Sequence, residues 1–185
     1  MSDLLDILPE APSTLTERDM LDALCRRYTA IRPGTVSSDR WVRAEHVQSR
    51  IGDASWRGPT RGVPVGTSRM RVADFIAMDT YPSTQAVHGV EVKVSRGDWL
   101  TELADLSKSE TFKRHCHYWW LAVPDVSIVR DDLPDRWGLL VLGSAGLRAR
   151  RRAPLLDPEP IPLDLTMTIA RAAAKTALRH QEDHR

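Results

Sequence analysis

The strongest constraint on the fold is the alternation of side chains in the segment 90–94. Three valines occupy every second position, and Glu91 and Lys93 occupy the positions between them. In a β-strand, successive side chains point to opposite faces of the sheet. The segment is therefore predicted to form a strand with a row of valines on one face and a carboxylate beside an ammonium on the other. Because charges are rarely placed in the middle of a half-buried strand, this pair is a candidate functional site.

A second charged strand is predicted just upstream, around Asp74. Apolar residues surround this single carboxylate, and the turn-forming residues Asp79 and Pro82 follow it. The two strands are expected to form a hairpin, which would bring Asp74 toward Glu91 and Lys93. Two converging carboxylates form a hard-oxygen site for a divalent cation, and Mg²⁺ takes one or two carboxylates while keeping several waters. A neighbouring lysine can orient or deprotonate water, or stabilise charge that develops on a phosphate.

Three ordered segments resemble a known group of nucleases. They are Arg71-Val-Ala-Asp-Phe-Ile-Ala-Met78, Glu91-Val-Lys-Val-Ser-Arg-Gly-Asp-Trp-Leu100 and Trp119-Trp-Leu-Ala-Val-Pro124. Together they resemble the PD-(D/E)XK nuclease superfamily and, within it, the MmcB-like DNA-repair family and its actinobacteriophage-type relatives. The resemblance covers residues 40–152. Ala73 stands at the position where the superfamily's name has proline.

The resemblance implies an α/β fold with a restriction-endonuclease-like core, in which helices flank a central mixed β-sheet. It also implies a metal-dependent nuclease that hydrolyses DNA phosphodiester bonds in repair, replication or recombination, with Mg²⁺ as cofactor and Mn²⁺ as a substitute. Asp74, Glu91 and the main-chain carbonyl of Val92 would bind the metal, and Lys93 would orient the attacking water. In this superfamily a glutamate on a helix before the aspartate-bearing strand often joins the site, and Glu45 is the candidate here.

Arginine clusters are the predicted nucleic-acid contacts, although the net charge is only +1, from 26 Lys and Arg against 25 Asp and Glu. Local basic clusters bind phosphates whatever the net charge. The candidates come from a long glycine-rich loop at 52–68, from the ends of the two strands described above, and from a basic strand near residue 150. They are Arg57, Arg71, Arg96, Arg148 and Arg150. Because no base-reading element is identifiable, DNA is expected to be recognised through its backbone and shape.

Two alternatives to the nuclease remain open from the residues alone. The first is a DNA-binding or scaffold protein that keeps the fold without catalysis, with Asp74 and Lys93 as a structural ion pair. The second is an unrelated α/β protein in which Glu-x-Lys arises by chance, or a winged-helix regulator formed by residues 14–51. The presence of an aspartate, a glutamate and a lysine together favours the nuclease.

The chain is predicted to divide into three parts. Residues 1–152 form the nuclease-like domain, residues 153–162, with four prolines, form an extended tether, and residues 163–185 form a C-terminal helix. That helix either docks on the domain or pairs with a second copy in a homodimer. Within the domain we expect a helix at 14–31, a buried strand at 118–123 and a hairpin from 138 to 151. The segment 40–51 fits a helix or a strand.

Cysteine content and hydropathy limit the cofactors and the compartment. Cys25 and Cys116 are the two cysteines, which excludes a four-cysteine iron–sulfur cluster and fits a reducing compartment. His115-Cys-His117 resembles part of a zinc site, but no second ligand cluster lies at a suitable spacing, so no zinc is expected. No stretch reaches the ~20 apolar residues of a membrane span, and the acidic start is unlike a signal peptide. A cytoplasmic protein without a membrane partner is therefore expected.

Overall fold

A six-stranded mixed β-sheet forms the centre of the structure, a computed structural model that describes residues 15–29, 40–49 and 70–182. The strands are β1 (Trp41–Gln48), β2 (Val72–Asp79), β3 (Ala86–Val92), β4 (Tyr118–Val123), β5 (Gly138–Gly143) and β6 (Gly146–Arg151). They lie side by side in chain order. The β3–β4 and β4–β5 pairs are parallel, and the other pairs are antiparallel. The predicted α/β class with a central mixed sheet is confirmed.

Four helices flank the sheet: α1 (Glu17–Arg27), α2 (Arg96–Leu103), α3 (Ser107–Lys113) and α4 (Leu163–Glu182). Two parallel strands need a long crossover connection, and α2 and α3 provide it between β3 and β4. A 3-10 helix at Val126–Ile128 lies in the connection between β4 and β5. In the part of the chain that the structure describes, no helix is both long enough and apolar enough to cross a membrane.

Each face of the sheet has its own layer of core. On the first face, Val90 and Val92 belong to one hydrophobic cluster with Met20 and Leu24 of α1. On the second face, α2, α3 and α4 cover the sheet, and Trp99 of α2 is fully buried there. Side chains alternate along β3, so the valines that point to α1 leave Glu91 pointing to the second face.

The C-terminal segment packs on the rest of the chain. Residues 153–162 have no regular secondary structure, but Ala153 and Leu156 are buried, and the Leu156 N–H donates to the carbonyl of His117 at 2.8 Å. α4 then lies against β1, with Leu165 and Ile169 buried. The helix therefore docks on its own chain, while pairing with a second copy stays a prediction.

β1 resolves the ambiguity of the segment 40–51 and corrects the placement of Glu45. Residues 41–48 form an edge strand, so of the two structures left open the helix, on which Glu45 would match the glutamate that the resemblance implies, is wrong. His46 has a φ of +50°, which is uncommon for a residue other than glycine and breaks the alternation of the strand. Ala44 and Glu45 are both buried in consequence, and Val47 is buried again after the exposed His46. This irregular burial is what imitates a helical period in the sequence.

Candidate functional site

Three neighbouring strands place His46, Asp74 and Glu91 in a row across the sheet. β1 and β2 pair on both sides of His46 and Asp74, at Glu45–Phe75 and Val47–Ala73. The pairing of β2 with β3 reaches Phe75–Val90, and Asp74 and Glu91 are the next residues of those two strands. A carboxylate oxygen of Asp74, a ring nitrogen of His46 and a carboxylate oxygen of Glu17 lie within 4.8 Å of one another. The Val92 N–H donates to Asp74 Oδ2 at 2.8 Å, so β2 and β3 hold this carboxylate between them.

Lys93 lies between two buried carboxylates. Its Nζ is 2.5 Å from Glu91 Oε1 and 3.6 Å from Oε2 of Glu102, which α2 supplies. The exposed fractions of the three side chains are 14% for Lys93, 10% for Glu91 and 9% for Glu102. The structure therefore brings Glu91 and Lys93 together as the alternation predicts, and it adds Glu102 to them.

This charged centre contains more negative than positive charge. Asp74, Glu91 and Glu102 supply three carboxylates, and Lys93 supplies one ammonium. Burial, and then the neighbouring charge of Asp74, raise the pKa of Glu91 to about 8. Burial also raises the pKa of Asp74, against the opposing effects of Lys93 and the Val92 N–H. Burial opposes the charge of Lys93 as well, but Glu91 and Asp74 outweigh it and raise the pKa of the ammonium.

A cavity of about 220 Å³ lies beside Glu91 and Glu102. The buried indole N–H of Trp119, a residue of its wall, has no hydrogen-bond partner among the described residues. An unpaired buried donor next to a cavity indicates a place for water or a ligand. Carboxylate oxygens with room for water are what Mg²⁺ requires, and its two charges would balance the excess of negative charge. The residues present therefore fit a hard divalent cation.

Two predicted nucleic-acid contacts lie close to the centre but differ in their partners. Arg71 lines the cavity beside Glu91, and its guanidinium is 3.9 Å from Asp105. Arg96 donates to the carbonyl of Ile128 at 3.0 Å and lies 2.5 Å from a carboxylate oxygen of Asp132. Arg96 thus connects the start of α2 to the segment between β4 and β5, whereas Arg71 faces the cavity.

The other predicted contacts are farther along the chain. Arg148 and Arg150 are exposed on β6, at the opposite edge of the sheet from β1. Arg57 lies outside the described residues. Lys108, which the prediction did not include, lines the same cavity as Arg71.

Glu45 belongs to a separate group of charges on β1. Arg18 of α1 donates two hydrogen bonds of 2.9 Å to its carboxylate, and Arg179 of α4 donates a third. The Glu45 N–H donates to Oγ1 of Thr176 at 3.0 Å. Burial opposes ionisation of Glu45, but the hydrogen bonds, first that of Arg18, hold its pKa below the usual range. Within the described residues, Glu45 contacts neither Asp74 nor Glu91, so the predicted fourth member of the centre is not brought to it.

Other residues of metal-ligand type have local partners. Cys25, Glu45 and His180 lie close enough to share an ion, but two arginines already neutralise Glu45, and burial raises the pKa of Cys25 to about 12. His117 Nδ1 accepts the Val87 N–H at 3.0 Å, and the Cys116 thiol donates to a backbone carbonyl of α3. These contacts connect elements of the fold.

Sequence reasoning missed Glu17, His46 and Glu102. Glu102 carried a readable signal, because it follows Trp99 by three residues and so shares the helix face that packs on the sheet. Glu17 and His46 carried none, because α1 and β1 approach Asp74 only through tertiary packing.

Comparison with known proteins adds one structural likeness. No protein-family model matches the chain, and no curated protein sequence matches it. Among solved structures, the chain is similar to the SPO1766 protein of unknown function from Silicibacter pomeroyi, at 22% sequence identity and a TM-score of 0.47, over 77% of this chain and 78% of that chain. Function is therefore inferred from the side chains of this chain.

Proposed function

We propose that the protein is a metal-dependent nuclease that hydrolyses the phosphodiester bonds of DNA. The observation that carries the proposal is the buried group of Asp74, Glu91 and Glu102 around Lys93, in which negative charge exceeds positive charge. Burying unbalanced charge opposes folding, and a divalent cation would relieve that cost. The resemblance to the PD-(D/E)XK nuclease superfamily supports the same function.

The side chains of the centre have distinct roles in this proposal. Asp74, Glu91 and the carbonyl of Val92 would hold Mg²⁺, which supplies Lewis-acid activation of water and of the phosphodiester. The ammonium of Lys93 orients the attacking water and stabilises negative charge that develops on the phosphate. Glu102 gives that ammonium a second partner, so Lys93 stays in place when Glu91 binds another cation.

The backbone of the nucleic acid needs positive charge outside the centre. Arg71 and Lys108 line the cavity next to Glu91 and would neutralise phosphates there. Because these contacts are made to phosphates, they give affinity and position without sequence preference. We place the activity in DNA repair, replication or recombination, as the resemblance implies. We place it in the cytoplasm because Cys25 and Cys116 are both free thiols, which suits a reducing compartment.

A DNA-binding protein without catalysis is the second candidate. Its support is the contact of 2.5 Å between Lys93 and Glu91, because a purely structural role would produce the same ion pair. In that case the centre holds β3 to α2, and the basic side chains alone account for the function.

A cleavage assay separates the two candidates. Labelled duplex, single-stranded, flap and four-way-junction DNA, with an RNA duplex beside them, are incubated with the protein in Mg²⁺, Mn²⁺ or EDTA. We expect cleavage that requires a metal and falls at least ~100-fold in Asp74→Asn and Lys93→Met, since each removes a charge that acts in the transition state. Binding of DNA without cleavage in either metal would exclude the nuclease.

Lys113→Met is the matched control for Lys93→Met. Lys113 also pairs with a glutamate, Glu110, and its side chain is equally buried, at 14% exposed, but it lies on α3 outside the centre. We expect Lys113→Met to cleave as the wild type does. Equal loss in both lysine variants would mean that the effect is structural.

A further inference from the structure

α4 carries a row of cations that the predicted contacts did not include. Arg171, Lys175 and Arg179 follow one another at intervals of four residues, and no acidic residue occurs between Leu165 and Gln181. Residues four apart share one face of a helix, and like charges at that spacing destabilise it. Negative charge from outside the helix would therefore stabilise this face.

Among the described residues, acidic side chains of other elements pair with Arg179, at the C-terminal end of the row, and not with the other two cations. Arg179 lies 3.0 Å from Asp22 of α1 and also bonds to Glu45 of β1. Arg171 and Lys175 are exposed and form no ion pair with any residue in the described ranges. The row thus consists of two cations that are free to bind a ligand, followed by a fixed arginine.

These two cations face a pocket of about 410 Å³ between α4, α1 and β1. Arg18 and His46 line it from the other elements, and among the described residues of its wall Glu45 is the one acid. Arg18 and Arg179 already bond to Glu45, with Asp22 beside them, so the charges of Arg171 and Lys175 are left unbalanced. The buried Nε of Arg179 also has no acceptor among the described residues.

The pocket adjoins the charged centre. His46 lies in its wall, and a ring nitrogen of the same residue is within 4.8 Å of a carboxylate oxygen of Asp74. The carboxylate of Glu17 lies 3.8 Å from His46. The lining residues that the structure describes include no large apolar side chain, so the pocket suits a small, strongly charged group better than an amphipathic protein segment or a lipid chain.

We infer that Arg171 and Lys175 bind phosphates of a nucleic-acid backbone next to the charged centre. The inference rests on the proposed function for the identity of the ligand. It makes the C-terminal helix part of the nucleic-acid interface, with Arg179 fixing the helix and the two free cations contacting the phosphates. Arg71 and Lys108 line a cavity at the Glu91 end of the row of strands, so positive charge is available at both ends of the centre.

Binding of nucleic acid in EDTA tests the inference without cleavage. Anisotropy of labelled duplex and single-stranded oligonucleotides is measured over a range of salt for wild type and for the double variant Arg171→Ala/Lys175→Ala. We expect affinity to fall about tenfold and the slope of log K against log salt to become less steep by about 2, one for each phosphate that the variant no longer neutralises. Alanine preserves the helix, and circular dichroism verifies the fold.

The double variant Arg130→Ala/Arg136→Ala is the control, because both arginines are exposed and lie outside the two pockets. It removes the same charge and should bind nearly as wild type does. Equal losses of affinity in the two double variants would overturn the inference, as would an unchanged salt slope or a wild type that binds no nucleic acid. Pyrophosphate binding is measured for the same proteins. If Arg171→Ala/Lys175→Ala lost pyrophosphate binding but bound oligonucleotides as the wild type does, the ligand would be a free phosphate compound and the inference would be overturned. A wild type that binds through these residues but does not cleave would contradict the nuclease alone.

Discussion

Glu45 and Glu91 are two buried strand glutamates with opposite electrostatic surroundings. Each is 8% exposed, yet the pKa of Glu45 is held below its usual range and that of Glu91 is raised to about 8. Glu45 receives three hydrogen bonds from Arg18 and Arg179. Glu91 has one lysine, which it shares with two further carboxylates. Burial alone therefore does not identify a functional carboxylate, whereas the balance of charge around it separates a structural site from a candidate binding site.

The largest difference in stability is expected when the charge of Glu45 or of Glu91 is removed from the metal-free protein at a pH above 8. Glu45→Gln should lower the free energy of unfolding by about 3 kcal/mol, because two arginines lose their anionic partner. Glu91→Gln should raise it by about 1 kcal/mol, because it relieves repulsion among buried carboxylates. Urea unfolding in EDTA measures both. If the two substitutions changed stability in the same direction, the contrast in charge balance would be wrong.

A divalent cation should act on only one of the two regions. We expect Mg²⁺ at about a hundred times its dissociation constant to stabilise the wild type by about 2.7 kcal/mol, since it binds the folded state. Glu45→Gln should keep this gain, and Glu91→Gln should lose it. Thermal unfolding over a series of Mg²⁺ concentrations provides the measurement, with Ca²⁺ as a test of selectivity. A gain of equal size in Glu91→Gln would place the ion elsewhere.

The two carboxyl groups should also give stability opposite dependences on pH. The pKa of Glu91 rises from 4.5 to about 8 on folding, so the metal-free folded state binds a proton that the unfolded chain releases. The free energy of unfolding should therefore fall as pH rises from 4.5 to 8. Glu45 has a lowered pKa, so its contribution is present above pH 4.5 and is lost as pH falls below that value. Urea unfolding measured across pH tests both effects. Glu91→Gln should abolish the fall in stability between pH 4.5 and 8, and Glu45→Gln should abolish the loss of stability below pH 4.5.

The smallest expected effect concerns the backbone beside Glu45. Thr176→Val removes the acceptor of the Glu45 N–H, and we expect a loss of about 1 kcal/mol for one buried hydrogen bond. Thr168→Val is the control, because Thr168 is also buried on α4 and bonds only to a carbonyl of its own helix. Chemical denaturation of both variants is the measurement, and equal losses would remove the special role of Thr176.

Local sequence patterns predicted the fold in segments where the polarity of each side chain matches its burial in the structure. The alternation of 90–94 predicted the valines on one face of a strand and Glu91 beside Lys93 on the other. In the structure, Val90 and Val92 lie in the core on the face of the sheet that α1 covers, and Glu91 contacts Lys93. The continuous apolar run at 118–123 forms β4, and the C-terminal helix and the final hairpin also lie where they were expected. In these segments local preference and tertiary packing agree, so the sequence alone was sufficient.

The pattern failed where distant contacts decide. The positive φ of His46 interrupts the alternation of β1. This interruption left 40–51 ambiguous between a helix and a strand, and so left Glu45 as a candidate for the helix glutamate that the resemblance implies. The partners of Glu45 come from far along the chain, since Arg179 is 134 residues away. No local signal can show that two arginines will neutralise one glutamate while another lacks such partners. The candidate centre was predictable in Asp74, Glu91 and Lys93, but its charge balance was not.

The docking of α4 on β1 has a consequence for the newly made chain. β1 is an edge strand, and α4 covers it, taking up the Glu45 N–H with a threonine hydroxyl. An uncovered strand edge is a template for pairing with other molecules and hence for aggregation. β1 ends at Gln48 and α4 begins at Leu163. At ribosomal rates of ~5–20 residues per second, α4 is therefore synthesised roughly 10 s after β1, and the edge of β1 stays uncovered for that time. During synthesis, protection of this edge therefore comes from a helix that leaves the ribosome more than a hundred residues after the strand it covers.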